Sequence, residues 1–140
     1  MSAGTLQVVD GSSHEVTWSG TLGSVVSLAA TPSTLYAGSS DGTVAAYPLA
    51  GCGGSSCAPA WTATLAGSAD WLSVGGDVLY VGAGVTVSAL PAAGCGAATC
   101  SSLWSHELDA AVSGRPVIDG GRLVVSAADG SVTGFRLPPP

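Results

Sequence analysis

Lysine and asparagine are both missing from this chain, and arginine occurs only at Arg115, Arg122 and Arg136. Charged residues make up 9% of the 140 positions, against about 25% in an ordinary soluble domain. The formal net charge is −6. A nucleic-acid-binding face needs a clustered basic footprint, and these three arginines cannot supply one. The same deficit argues against docking on anionic lipid. No stretch reaches the 18 or more apolar residues of a membrane span. Met1 to Asp10 lacks the basic segment and following apolar segment of a secretory leader. Two expectations remain: a cytosolic chain, or a piece of a longer exported protein.

What the chain does have is glycine, 21 of 140 residues, and 46% hydrophobic residues. That apolar content is too high for a disordered chain. Short apolar runs cut by Gly, Ser and Asp point to an all-β protein. A repeat is the strongest signal, and repeats of this length mark modular folds. Trp18, Trp61 and Trp104 recur every 43 residues, each followed four residues later by Leu22, Leu65 or Leu108. Cys52 and Cys57 recur at the same interval as Cys95 and Cys100. In the first copy, Val9 to His14 falls where Cys52 to Cys57 would stand, keeping Gly-Ser-Ser without the cysteines. Leu35-Tyr36-Ala37-Gly38 recurs as Leu79-Tyr80-Val81-Gly82 and as Leu123-Val124-Val125-Ser126. Asp41-Gly42 recurs as Asp129-Gly130, while the middle copy turns on Gly84 alone.

Turn signals divide each repeat into short strands: Val25 to Ala30, Leu35 to Gly38, Thr43 to Leu49 and Ala60 to Leu65 in the best-formed copy. Asp-Gly takes positive φ readily and closes a hairpin between the second and third. Four short antiparallel strands in 40–50 residues is the β-propeller blade. The expected architecture is therefore an all-β partial propeller over 1–137. Its units are about 1–22, 23–65, 66–108 and 109–137, and a Pro138–Pro140 tail cannot join a ladder. About three blades are too few to close a ring of the usual four to eight. The sequence thus predicts either a fragment of a longer propeller or a homo-oligomer that completes the ring.

The run from Leu35 through Asp41-Gly42 to Tyr47, then a glycine-rich turn and Trp61, resembles the pyrroloquinoline-quinone-type β-propeller repeat. Ala46-Tyr47, Ala89-Leu90 and Gly134-Phe135 stand at the matching third-strand ends. The resemblance implies that Trp18, Trp61 and Trp104 are docking residues wedged between neighbouring blades. It spans nearly the whole chain and is specific for fold. The family includes quinone-dependent dehydrogenases, bacterial outer-membrane assembly scaffolds and sensor domains. Its dehydrogenases carry adjacent disulfide-bonded cysteines and Asn and acidic calcium ligands; this chain has neither an adjacent Cys pair nor any Asn. The low lysine and high alanine and glycine resemble exported proteins of high-GC actinobacteria.

Four cysteines allow three connectivities. Cys52–Cys57 and Cys95–Cys100 are the expected disulfides, because each pair brackets one short loop in its own repeat. That pairing implies an oxidising compartment, extracellular or in the cell envelope. The rival readings are free thiols and a zinc site built from two Cys-x4-Cys pairs. Trp71 stands outside the repeat register, early in a first strand where the channel surface should lie. With Asp70 and Asp119 it forms the candidate ligand surface. Asp41 and Asp129 read as turn residues rather than calcium ligands. His14 and His106 have no partner cluster and read as surface residues. No Ser, His and acid stand at a spacing that supports nucleophilic catalysis. The expected function is a non-catalytic binding or scaffold module for a protein or small ligand, without cofactor or metal; the alternative is a fragment of a quinone-dependent dehydrogenase.

Overall fold

The structure is a computed structural model that describes residues 4–22, 24–119 and 121–136; Gly4, Thr5 and Asp119 are described by their backbone alone. The Pro138–Pro140 tail lies outside the described residues. Strands β1 (Gly4–Val9) and β2 (Val16–Leu22) form a two-stranded sheet, blade 1. Blade 2 is β3 (Val25–Ala30), β4 (Thr34–Ser39), β5 (Thr43–Pro48) and β6 (Trp61–Thr64). Blade 3 is β7 (Ala69–Gly75), β8 (Val78–Ala83), β9 (Thr86–Pro91) and β10 (Trp104–Glu107). Blade 4 has three strands among the described residues, β11 (Val117–Asp119), β12 (Arg122–Ser126) and β13 (Val132–Arg136). Every pairing within a blade is antiparallel and sequential. The protein is an all-β set of propeller blades.

Strand alternation explains why the blades stack. Residues on opposite sides of a strand face opposite neighbours, so each central blade has two apolar faces. One face of blade 2, with Ala37, Ala45 and Tyr47, packs on Leu6 and Trp18 of blade 1. Its other face, with Tyr36, Val44, Ala46 and Trp61, packs on Leu72, Leu79, Val81 and Leu90 of blade 3. Blade 3 then presents Tyr80, Val87 and Ala89 to Val112, Leu123 and Val125, Val112 lying just before blade 4. Three cores therefore lie between sheets rather than inside any one of them.

The first two junctions carry the same clasp. Trp18 is 1% exposed, and its Nε1 donates to the carbonyl of Leu49 at 2.8 Å. The indole lies over Gly51 of the next blade, where a Cβ would come within 2.7 Å of Cδ1. Trp61 is 4% exposed and lies over Gly94 in the same way. Gly51 and Gly94 also have φ of 88° and 90°, a region that disfavours a side chain. Burying about 200 Å2 of indole contributes on the order of 5 kcal/mol at about 25 cal/mol per Å2. Trp104 has no described loop over it; it is half-buried against Tyr80 and Phe135.

The disulfides complete the clasp. Cys52–Cys57 and Cys95–Cys100 close two loops, with Cα separations of 5.3 and 5.7 Å. Each loop lies alongside the outer strand of the preceding blade and forms a short parallel bridge with it. Ser19 N donates to Ser55 O and Cys57 N to Ser19 O, at 2.9 and 2.8 Å. One blade on, Thr62 N donates to Ala98 O and Cys100 N to Thr62 O, both at 2.8 Å.

The first copy differs from its expected alignment. Val8 stands opposite Trp18 as Ala46 stands opposite Trp61. The connection between β1 and β2 is therefore a short turn, and Gly11-Ser12-Ser13 is not a structural counterpart of Gly54-Ser55-Ser56. Asp10 Oδ1 caps this turn by accepting from Ser12 N, Ser12 Oγ and Ser13 N. His14 takes φ of 62°.

Candidate functional site

The innermost strands β3 and β7, followed by the segment that leads into β11, form one wall. Adjacent strands of this wall are tied by hydroxyls: Ser27 Oγ donates to Ala69 O and Ser73 Oγ to Pro116 O, both at 2.5 Å. These two serines are spent on structure and are not free for a ligand. Two shallow cavities of about 350 and 370 Å3 lie along the wall. Leu72 and Arg115 line both of them. The first adds Ala29, Val74, Pro116 and Ile118; the second adds Val26, Leu28, Asp70 and Trp71.

Trp71 sits in β7, half-buried, and its Nε1 donates to the carbonyl of Val112 at 3.0 Å. With the donor satisfied, the ring offers an apolar face. Asp70 is exposed beside it and accepts from Ser68 Oγ at 2.5 Å. Val26 and Leu28 are exposed on the neighbouring strand. The second cavity thus combines an aromatic plane, the exposed aliphatic side chains of Val26 and Leu28, one carboxylate and one guanidinium. Such a surface can grip an extended segment by apolar contact and orient it by charge. Of the three residues expected to form the ligand surface, Trp71 and Asp70 share the second cavity. Asp119 closes β11, paired with Arg122, and its side chain lies outside the description. Arg115 was not among the residues expected here. Nothing in the repeat pattern singles it out, since it lies in the connection ahead of β11.

The acids at the turns do local work. Asp41 Oδ1 accepts from Thr43 N at 2.9 Å, and Asp129 Oδ1 accepts from Ser131 N at 2.9 Å and Ser131 Oγ at 2.6 Å. Hydrogen bonds from Thr43 hold the Asp41 carboxyl below its ordinary value, and those from Ser131 do the same for Asp129. His106 is exposed and meets the Phe135 ring edge-on at 5.1 Å. Among the described residues, no three His, Cys, Asp or Glu side chains converge as a metal site would require. All four cysteines are held in loop disulfides at the outer strands. This donor set does not fit a calcium-bound quinone.

The family model described as outer membrane protein assembly factor BamB matches residues 55–137. The chain belongs to this BamB family of PQQ-like propellers. Among solved structures, the computationally designed Ika4 protein is similar over 96% of this chain and 81% of its own, with a TM-score of 0.78 and 19% identity. BamB from Moraxella catarrhalis gives a TM-score of 0.73 at 16% identity, and the designed Ika8 protein 0.70 at 18%. At such identities the likeness concerns the fold. The chain covers 95% of itself but 39% of the Moraxella BamB chain, and 89% of itself but 37% of Ika8. No curated protein matches by sequence. The BamB-family match spans Trp61, Trp104 and the Cys95–Cys100 loop, so these landmarks of the repeat lie within the family region.

Proposed function

We propose that this chain is a non-catalytic binding and scaffold module of an exported bacterial propeller protein, and that the β3–β7–β11 wall receives an extended protein segment or a small ligand. The observation that carries this reading is the convergence of Trp71, Asp70 and Arg115 with exposed Val26 and Leu28 on one wall. Two disulfides in one small chain favour an oxidising compartment, extracellular or in the cell envelope. A relative described as an assembly factor makes a protein partner the first choice.

The test is selection of binders from a displayed library of random peptides against the folded chain. Trp71→Ala and Arg115→Ala should each weaken the selected peptides by about tenfold or more, the scale of an interface anchor. Peptides that bind the variants as tightly as the parent would count against the wall. Dye reduction with an alcohol substrate after addition of pyrroloquinoline quinone and Ca2+ would favour the dehydrogenase reading instead.

A further inference from the structure

The two ends of the blade stack differ in chemistry, and the difference is complementary. On blade 4, Leu123, Val125 and Phe135 face blade 3. Alternation turns Val124, Val132, Gly134 and Arg136 the other way. The repeat equivalents of Val132 are Val44 and Val87, both 0% exposed beneath a following blade; Val132 is 67% exposed. Val117 on the same blade is 57% exposed. This face keeps the buried-face pattern of the repeat and lacks a cover among the described residues.

It is also where the positive charge gathers. Arg122 and Arg136 are direct cross-strand partners. Like charges placed opposite each other destabilise a sheet unless something anionic meets them. Asp119 is paired with Arg122 on the other side, so the row Asp119, Arg122, Arg136 still carries one excess cation. The arginines flank the connections at one end of the blade: Arg122 opens the second strand and Arg136 closes the third. At the corresponding end of blade 1, the turn between β1 and β2 carries Asp10 and Glu15 with no cation nearby in sequence. Val9 and Val16 bracket that turn and are 52% and 50% exposed.

The geometry points to a head-to-tail interface in which blade 1 of a second copy covers the outward face of blade 4. The Asp10–Glu15 turn lies against the Arg122–Arg136 corner, and Val9 and Val16 extend the apolar contact with Val132. Sheets then meet between copies as they meet within the chain. This surface is separate from the β3–β7–β11 wall and stands or falls independently of it.

The experiment is sedimentation equilibrium of the oxidised 140-residue chain across a concentration series at low and high salt. Assembly at low salt that weakens with salt is expected, because exposed charges are screened beyond a Debye length of about 10 Å at 0.1 M. Val132→Arg and Arg136→Glu should each raise the dissociation constant about tenfold or more. Glu15→Arg should do the same, and the Glu15→Arg/Arg136→Glu double variant should recover affinity by restoring opposite charges between copies. All these side chains are exposed, so the variants keep the fold. A monomer at every concentration would overturn the proposal and leave the face to another blade or another protein. Association that none of the single variants weakens, or that the double variant fails to recover, would overturn it as well.

Discussion

Replacing Gly94 by alanine should break one junction between blades, and Gly96 supplies the matched control. Both glycines have positive φ, 90° and 83°, in the same disulfide-bearing segment. A Cβ at Gly94 would stand 2.8 Å from Cδ1 and 3.2 Å from Nε1 of Trp61, whereas one at Gly96 would meet nothing within 4 Å. Left-handed backbone costs an L-residue about 1–2 kcal/mol. Forcing a methyl into a packed indole adds about 1–3 kcal/mol. Gly96→Ala should therefore lose about 1–2 kcal/mol from the backbone cost alone, and Gly94→Ala about 2–5 kcal/mol from the backbone and packing costs together. At roughly 2.1 cal/mol/K per residue, unfolding 140 residues carries about 300 cal/mol/K, so each kcal/mol shifts Tm by about 3 °C. Scanning calorimetry of the oxidised proteins should place Gly94→Ala about 3–10 °C below Gly96→Ala, from the packing cost alone. Gly51 and Gly53 form a second such pair over Trp18. Equal melting of the two variants in each pair would refute the idea that the indole is held by the next blade.

Other perturbations follow from single groups. The Tyr47 hydroxyl is buried without a hydrogen-bond partner among the described residues, and the repeat places Leu90 and Phe135 at its equivalents. Tyr47→Phe should stabilise the fold by about 1 kcal/mol, because an unsatisfied buried hydroxyl carries a desolvation penalty of about 1–3 kcal/mol; a loss in chemical denaturation would contradict this. Removing Cys52–Cys57 by paired serine substitution should cost about 2 kcal/mol by loop-closure entropy, read from the denaturation midpoint. Asp41 and Asp129 have lowered folded-state values, so their contribution is present above the unfolded carboxylate range and is lost as pH falls through the folded value. Asp41→Asn/Asp129→Asn should flatten the fall of Tm below about pH 4. An unchanged acid limb would show that the turns do not titrate with folding.

The blade count and strand order were legible because the 43-residue interval between Trp18, Trp61 and Trp104 is tied to a fixed strand position. The cysteine pairs were legible for the same reason. The grip of each disulfide loop on the preceding blade was not. Ser19 and Ser56 are far apart in sequence and belong to different repeats, and a two-bond parallel bridge leaves no periodic pattern. The first copy misled because Gly-Ser-Ser occurs both in a tight turn and in a clasp loop; only the ladder, with Val8 opposite Trp18, tells them apart. Trp71 stood out by falling off the repeat register. Arg115 did not stand out, because its place in the wall depends on how blade 4 follows blade 3.

Amide hydrogen exchange tests the clasp most directly. The amides of Cys57 and Cys100, which donate to the outer strand of the preceding blade, should exchange as slowly as the central strands β4 and β8. Gly53 and Gly54, exposed within the same loop, should exchange quickly. If Cys57 and Cys100 exchange as fast as these glycines, the loops do not hold neighbouring blades together and the account of the junctions is wrong.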